Sequence, residues 1–172
     1  MRRKITIAVL ILLAFLLQST VFQALTIASI APNLLLILTV SFALLRGNRE
    51  GLFVGFFCGL IIDLFYGDII GFYALIYMYI GFIIGFFYNV FYDEDVKVPI
   101  ILVACSDFVY GFTVYVLQFL LRGRTDFISY LLNIIFPEIM YTVILTIVLY
   151  RLIYKINQWL METEWEEPRK LL

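Results

Sequence analysis

The sequence predicts an all-α, polytopic membrane protein built as a six-transmembrane-helix bundle. Three observations carry that reading. Of 172 residues, 64% are apolar and 15% charged, against roughly 45–50% and about 25% in an average soluble domain. The mean hydropathy is +1.03. The charges also gather into short clusters, and the runs between them approach the roughly 20 residues that cross a bilayer as a helix. A soluble core of this length cannot hide so much apolar surface, which excludes a soluble enzyme. A net charge of −1 gives no basic footprint for nucleic acid. The absence of His removes the commonest general base and the commonest metal ligand.

The first apolar run starts at Ile5 and meets no charge until Arg46, about twice the length of one span. Ala31-Pro32-Asn33 divides it, Pro and Asn being turn and helix-start residues. Span one is therefore about 5–28 and span two about 33–45. Arg46-Gly47-Asn48-Arg49-Glu50 reads as a tight polar turn. Span three runs from Gly51 to about Tyr66, ended by Gly67-Asp68. Span four covers about 70–91 and stops at Asp93-Glu94-Asp95. Span five runs from about Val98 to Leu121, up to Arg122-Gly123-Arg124, and span six covers about 127–150. Spans two and three are short, about 20–24 Å at 1.5 Å per residue. A re-entrant hairpin would explain that, but it would bury Arg46, Arg49 and Glu50 at several kcal/mol on insertion scales. Two short crossings in a locally thinned bilayer are the preferred reading.

Six spans place both termini on one side. That side carries Arg2, Arg3, Lys4, Arg46, Arg49, Lys97, Arg151, Lys155, Arg169 and Lys170, whereas the opposite loops carry Arg122 and Arg124. The positive-inside rule then puts both termini in the cytoplasm. The Arg-Arg-Lys start resembles a signal peptide, but the apolar stretch is too long and Ser29-Ile30-Ala31 runs into Pro32, so span one is read as a retained anchor. The loops are short, and no soluble domain is expected on either face. The expected division is a transmembrane domain over 1–156 and a cytoplasmic acidic tail over 157–172, in which Trp159 and Trp165 mark an interfacial anchor.

Gly51, Gly55, Gly59, Asp63, Gly67 and Gly71 recur every four residues in and just after span three, which makes one slowly drifting stripe on a helix. Gly81 and Gly85 repeat the device in span four. Such stripes let a second backbone approach closely. The second helix belongs either to this chain or to a partner protein, and Gly51, Gly55, Gly59, Gly67, Gly81 and Gly85 are the candidate partner-helix packing residues.

Three carboxylates lie inside spans: Asp63, Asp107 and Glu138. Each costs roughly 2.5–3.5 kcal/mol at a helix centre on insertion scales, so each should face the bundle interior. Gln18 and Gln23 on span one, and Gln118 on the Asp107 face of span five, supply polar company. One reading is a polar cavity opening outward between spans one, three, five and six. The other is isolated buried groups satisfied by hydroxyls such as Tyr66, Tyr110 and Thr142. Pro137, just before Glu138, denies the Asn133 carbonyl its helical donor. An aspartyl protease using Asp63 and Asp107 lacks the Gly-x-Gly-Asp context, and a serine protease lacks its His or Lys at depth. Cys58 and Cys105 cannot make a four-ligand zinc site and read as small core residues. No catalytic residue, metal or cofactor is expected.

The order of features resembles the bacterial rod-shape-determining protein MreD family. The resemblance rests on Pro32-Asn33-Leu34-Leu35-Leu36, Arg46-Gly47, Glu50-Gly51, Gly55, Gly59-Leu60-Ile61-Ile62-Asp63, Gly71-Phe72-Tyr73-Ala74-Leu75 and Gly81, with Glu138 in the last span. Its specific part is about residues 32–85; beyond that it rests on hydropathy. It implies a non-enzymatic scaffold of the cell-elongation machinery in the cytoplasmic membrane. The implied partners are MreC, a bitopic protein with one transmembrane helix, and, through it, the elongation peptidoglycan synthases (a SEDS glycosyltransferase and its penicillin-binding partner). It also implies a fold similar to the S-components of energy-coupling-factor transporters. A small-molecule transport subunit is therefore the alternative, and a lipid-handling protein a third possibility. The acidic, Trp-bearing tail departs from a typical relative.

Overall fold

The computed structural model describes residues 2–21, 31–67, 69–89, 97–120 and 127–166. Six helices make up nearly all of them, and no strand occurs among the described residues. Helix α1 is Arg2–Leu16, widened into a π turn over Leu17–Val21; α2 is Leu34–Arg46; α3 is Asn48–Tyr66; α4 is Phe72–Gly85, ending in a 3₁₀ turn. Helix α5 is Lys97–Val114 with a π turn over Tyr115–Leu120. Helix α6 is built of Phe127–Tyr130, a π turn over Leu131–Ile135, and Phe136–Glu166. Among the described residues, three stretches are long and apolar enough to cross a membrane: Arg3–Thr20, Lys97–Leu117 and Phe127–Glu162. The apolar stretches Leu34–Arg46 and Phe72–Tyr88 are shorter.

The reason α2 is short lies in its position. Every residue from Leu34 to Leu44 is buried, and the helix packs against all five others. A helix apolar on every face belongs inside the protein. One that touches no lipid does not have to match the hydrocarbon thickness, so enclosure accounts for its length without the thinned bilayer that the sequence suggests.

The α2–α3 corner is tighter than the five-residue turn expected. Only Gly47 interrupts the helices, and Asn48, Arg49 and Glu50 already belong to α3. Gly47 has φ 88° and ψ −177°, a conformation essentially confined to glycine. Its N–H donates to Ala43 O at 2.9 Å, and its carbonyl accepts from Gly51 N–H at 3.0 Å.

Helix α4 lies antiparallel on α3, the most extensively packed pair in the bundle. A Cβ on Gly51, Gly55 or Gly59 would fall closer than 3.0 Å to the main chain of Gly81, Tyr77 or Tyr73 on α4. A Cβ on Gly81 or Gly85 would do the same against Gly51 or Asn48 on α3. The two backbones are therefore in direct contact along about 12 Å of axis, from Gly51 to Gly59, where carbonyls face Cα–H groups.

Helix α1 runs beside α3 in the same direction and is loosely held. Arg3 and Glu50 pair at 2.9 Å at one end, and the rings of Phe15 and Phe65 lie 4.8 Å apart at the other. Between them only Ile7, Ile11 and Phe15 of α1 are buried, a single stripe of four-residue period. Helix α6 runs parallel to α2: the Asn33 N–H reaches Thr142, and Arg46 Nε donates to Asn157 Oδ1. Its π turn, where Phe136 N–H donates to Leu131 O, sits directly before Pro137, which has no N–H to give. The helix then continues to Glu166, with Asn157 and Leu160 buried. The division expected at 156/157 thus falls within α6.

Candidate functional site

The start of α2 gathers polar groups from five helices. The chain enters this helix at Pro32-Asn33, far from any charged cluster in the sequence. The first N–H groups of a helix have no intrahelical acceptor, so a buried start must find acceptors elsewhere. Asn33 Oδ1 accepts from Leu36 N–H at 3.1 Å, a side-chain N-cap. The next free amide, Leu35 N–H, donates to Gln18 Oε1 of α1 at 3.3 Å. Tyr77 of α4 donates its hydroxyl to Asn33 Oδ1 at 2.7 Å, so that single oxygen serves two donors. Asn33 N–H donates to Thr142 Oγ1 of α6 at 3.2 Å, and the Thr142 hydroxyl donates to Glu138 O at 2.7 Å. Asn33 Nδ2 reaches Asp107 Oδ1 of α5 at 3.5 Å.

Asn33, Tyr77, Asp107 and Thr142 are all nearly inaccessible. Asp107 is the least satisfied of them. The hydrogen bond from Asn33 is at the outer limit of distance, the Thr142 hydroxyl is a further polar neighbour, and Asp107 Oδ2 has no partner among the described residues. The hydroxyls of Ser41 and Ser106 are likewise buried without a partner among the described residues. Glu138 is an electrostatic neighbour of Asp107, and the Tyr77 and Tyr110 rings meet edge to face at 5.4 Å. Chemically the arrangement offers acceptors and hydroxyls. No metal-ligating cluster occurs among the described residues.

Asp63 lies elsewhere and does a different job. The chain turns back after α3 through Gly67 and Gly71, the latter at φ 101°, a left-handed conformation that favours glycine. That turn aims the amides at the start of α4 toward α3. Asp63 Oδ2 accepts from Gly71 N–H at 3.0 Å and Ala74 N–H at 2.9 Å, and Oδ1 accepts from Tyr73 N–H at 2.8 Å. A carboxylate here meets both unsatisfied donors and the positive end of the helix dipole. Asp63 is 2% exposed and fully engaged.

Of the residues the sequence singles out, Gln18 and Asp107 meet at the start of α2, with Glu138 beside them. Asp63 caps α4. Gly51, Gly55, Gly59, Gly81 and Gly85 face one another across the α3–α4 contact, whereas the atoms nearest a Cβ on Gly67 are main-chain atoms of Asp63. Gln23 lies outside the described residues, and the side chain of Gln118 is not among those described. Two hub residues, Asn33 and Tyr77, are absent from the sequence-based candidates. The signal for Asn33 was present: a helix start in the middle of a forty-residue uncharged run has no water to cap it. Tyr77 carries no such mark, because a tyrosine in an apolar run looks like any core aromatic.

A family model described as rod shape-determining protein MreD matches residues 1–160 of the chain. No curated protein and no solved structure matches it. The chain belongs to the MreD family.

Proposed function

We propose that this MreD-family member is a non-enzymatic scaffold of the cell-elongation machinery in the bacterial cytoplasmic membrane. In this reading it crosses the membrane six times with both termini in the cytoplasm, binds the single transmembrane helix of MreC, and through MreC helps organise the peptidoglycan synthases. The observation that carries the reading is the family match over nearly the whole chain.

The fold supports it in two ways. Arg3, Glu50, Arg46 and Asn157 meet at one end of the bundle, as expected of a cytoplasmic rim rich in basic residues. The α3–α4 contact, backbone against backbone, makes a stiff platform of the kind a scaffold needs. The glycines act on the partner through this platform: their own faces are filled from within the chain.

The test is affinity purification of the tagged full chain from native membranes in mild detergent, with mass spectrometry of proteins and small molecules. Recovery of MreC and the synthases without a stoichiometric ligand is the expected result. Gly55→Leu, which forces α3 from α4, should reduce that recovery at least tenfold, and unchanged recovery would count against the platform.

A second reading, a small-molecule-binding subunit like those of vitamin transporters, is favoured by one observation: the open oxygen of Asp107 within a polar hub. Recovery of a bound small molecule together with an ATPase module would select it over the scaffold.

A further inference from the structure

Between α1 and α3, at the charged end of the bundle, runs an open groove of about 800 Å³, within the range of roughly 300–1,000 Å³ typical of ligand sites. Its walls are Ile7, Ala8, Ile11, Phe53, Phe57 and Ile61, and its mouth carries Arg3, Lys4 and Glu50. The groove exists because α1 touches α3 through so narrow a stripe. Phe53 and Phe57 stand 60% and 52% exposed along it.

We propose that this groove is a binding site for one anionic phospholipid. Its apolar length argues for acyl chains. From Arg3 to Leu12 on α1 and from Glu50 to Ile61 on α3 is about 14 and 17 Å at 1.5 Å per residue, which is one leaflet of a hydrocarbon core roughly 30 Å thick. A transmembrane helix from another protein would need a seat of both leaflets, about twice this length. Polarity follows the lipid too: the charged groups sit only at the mouth, where a headgroup lies, and the rest is hydrocarbon-facing. The mouth sets the preference for negative charge. Arg3 and Lys4 outnumber Glu50, and the Arg3–Glu50 pair leaves the exposed Lys4 as the excess cation beside it. A phosphate with a net negative headgroup matches that excess, whereas a zwitterionic headgroup brings its own cation to the same place.

The experiment uses the full chain in nanodiscs of equal parts phosphatidylglycerol and phosphatidylcholine, followed by extraction and native mass spectrometry of retained lipid. One phosphatidylglycerol per chain is expected to persist. Ala8→Trp, a substitution at an exposed position that fills the groove, should lower that occupancy at least tenfold. Lys4→Gln, which leaves the groove open, should retain lipid while reducing the preference for phosphatidylglycerol about fivefold, the effect of one basic residue at an anionic surface. Ile144→Trp, on the exposed face of α6, should change neither. Equal lipid retention in Ala8→Trp and the parent would overturn the proposal. So would an equal loss in Ile144→Trp, no preference between the two lipids, or cross-linking of a partner helix through a cysteine placed at Phe57 in native membranes.

Discussion

Asp63 and Asp107 have the same side chain and the same burial, 2% exposed each, yet they occupy opposite situations. Asp63 accepts three backbone N–H groups at 2.8–3.0 Å from one helix start. Asp107 has a long contact to Asn33, the Thr142 hydroxyl nearby, and a second oxygen with no partner among the described residues. Burial alone therefore says nothing about whether a carboxylate holds a fold together. What decides is whether the backbone has been arranged around it. At Asp63 a left-handed glycine turns three amides toward the carboxylate; at Asp107 the nearest donor is another side chain already occupied on its other atom.

The contrast sets the order of mutational effects, and each can break or sharpen it. Asp63→Ala strands three amides, that of Ala74 fully buried, and should destabilise the protein by on the order of 3–5 kcal/mol, read as a loss of thermal stability in detergent. Asn33→Ala removes the cap of α2 and the acceptor of Tyr77 together, for about 2–3 kcal/mol. Tyr77→Phe deletes one hydroxyl from the same oxygen and should cost about 1 kcal/mol. The smallest effect belongs to Asp107→Asn: the bond from Asn33 has an acceptor still, the buried carboxyl with an unsatisfied oxygen is gone, and stability should stay within about 1 kcal/mol of the parent or exceed it. A loss at Asp107→Asn equal to that at Asp63→Ala would dissolve the distinction between the two sites. If Asp107→Asn instead leaves stability intact and abolishes cell-shape function, Asp107 is retained for what it does and not for what it holds.

Much of this was legible beforehand, and particular residues show where legibility stops. Apolar runs bounded by charged or turn residues, with Pro32-Asn33 dividing the first run, locate all six helices, because insertion into lipid depends on composition over some twenty residues. The four-residue glycine period points to a close backbone contact, since a helix has no other need for a row of positions without side chains. Which helix fills such a stripe is a tertiary fact, and here it was the chain's own α4. Asp63 was recognised as costly and internal, but its partners are amides, which every residue has and no sequence distinguishes. They reach it through the backbone conformation of Gly71. Asn33 reads in the sequence as a helix start, and its position far from any charged cluster means that its cap must be found inside the protein. The single-residue corner at Gly47 looks like a five-residue loop in the sequence because its neighbours are charged, whereas Arg46 and Glu50 find partners on α6 and α1.

The complete enclosure of α2 has a consequence for how the protein is made. A nascent chain delivers its helices to the membrane in order, and α2 arrives second, with one of its five eventual neighbours already there. Until α3 to α6 follow, Asn33, Thr39 and Ser41 lie on a helix with no protein around most of its circumference. The one-residue corner at Gly47 ties α2 to α3 at once, and α3 brings α4 with it through the glycine contact. Half the wall is thus built by neighbours in sequence, before the distant α5 and α6 close the rest. Synthesis interrupted after α4 should leave a three-sided intermediate exposed to membrane quality control, and the most protected helix of the finished molecule is the one most exposed during its biogenesis.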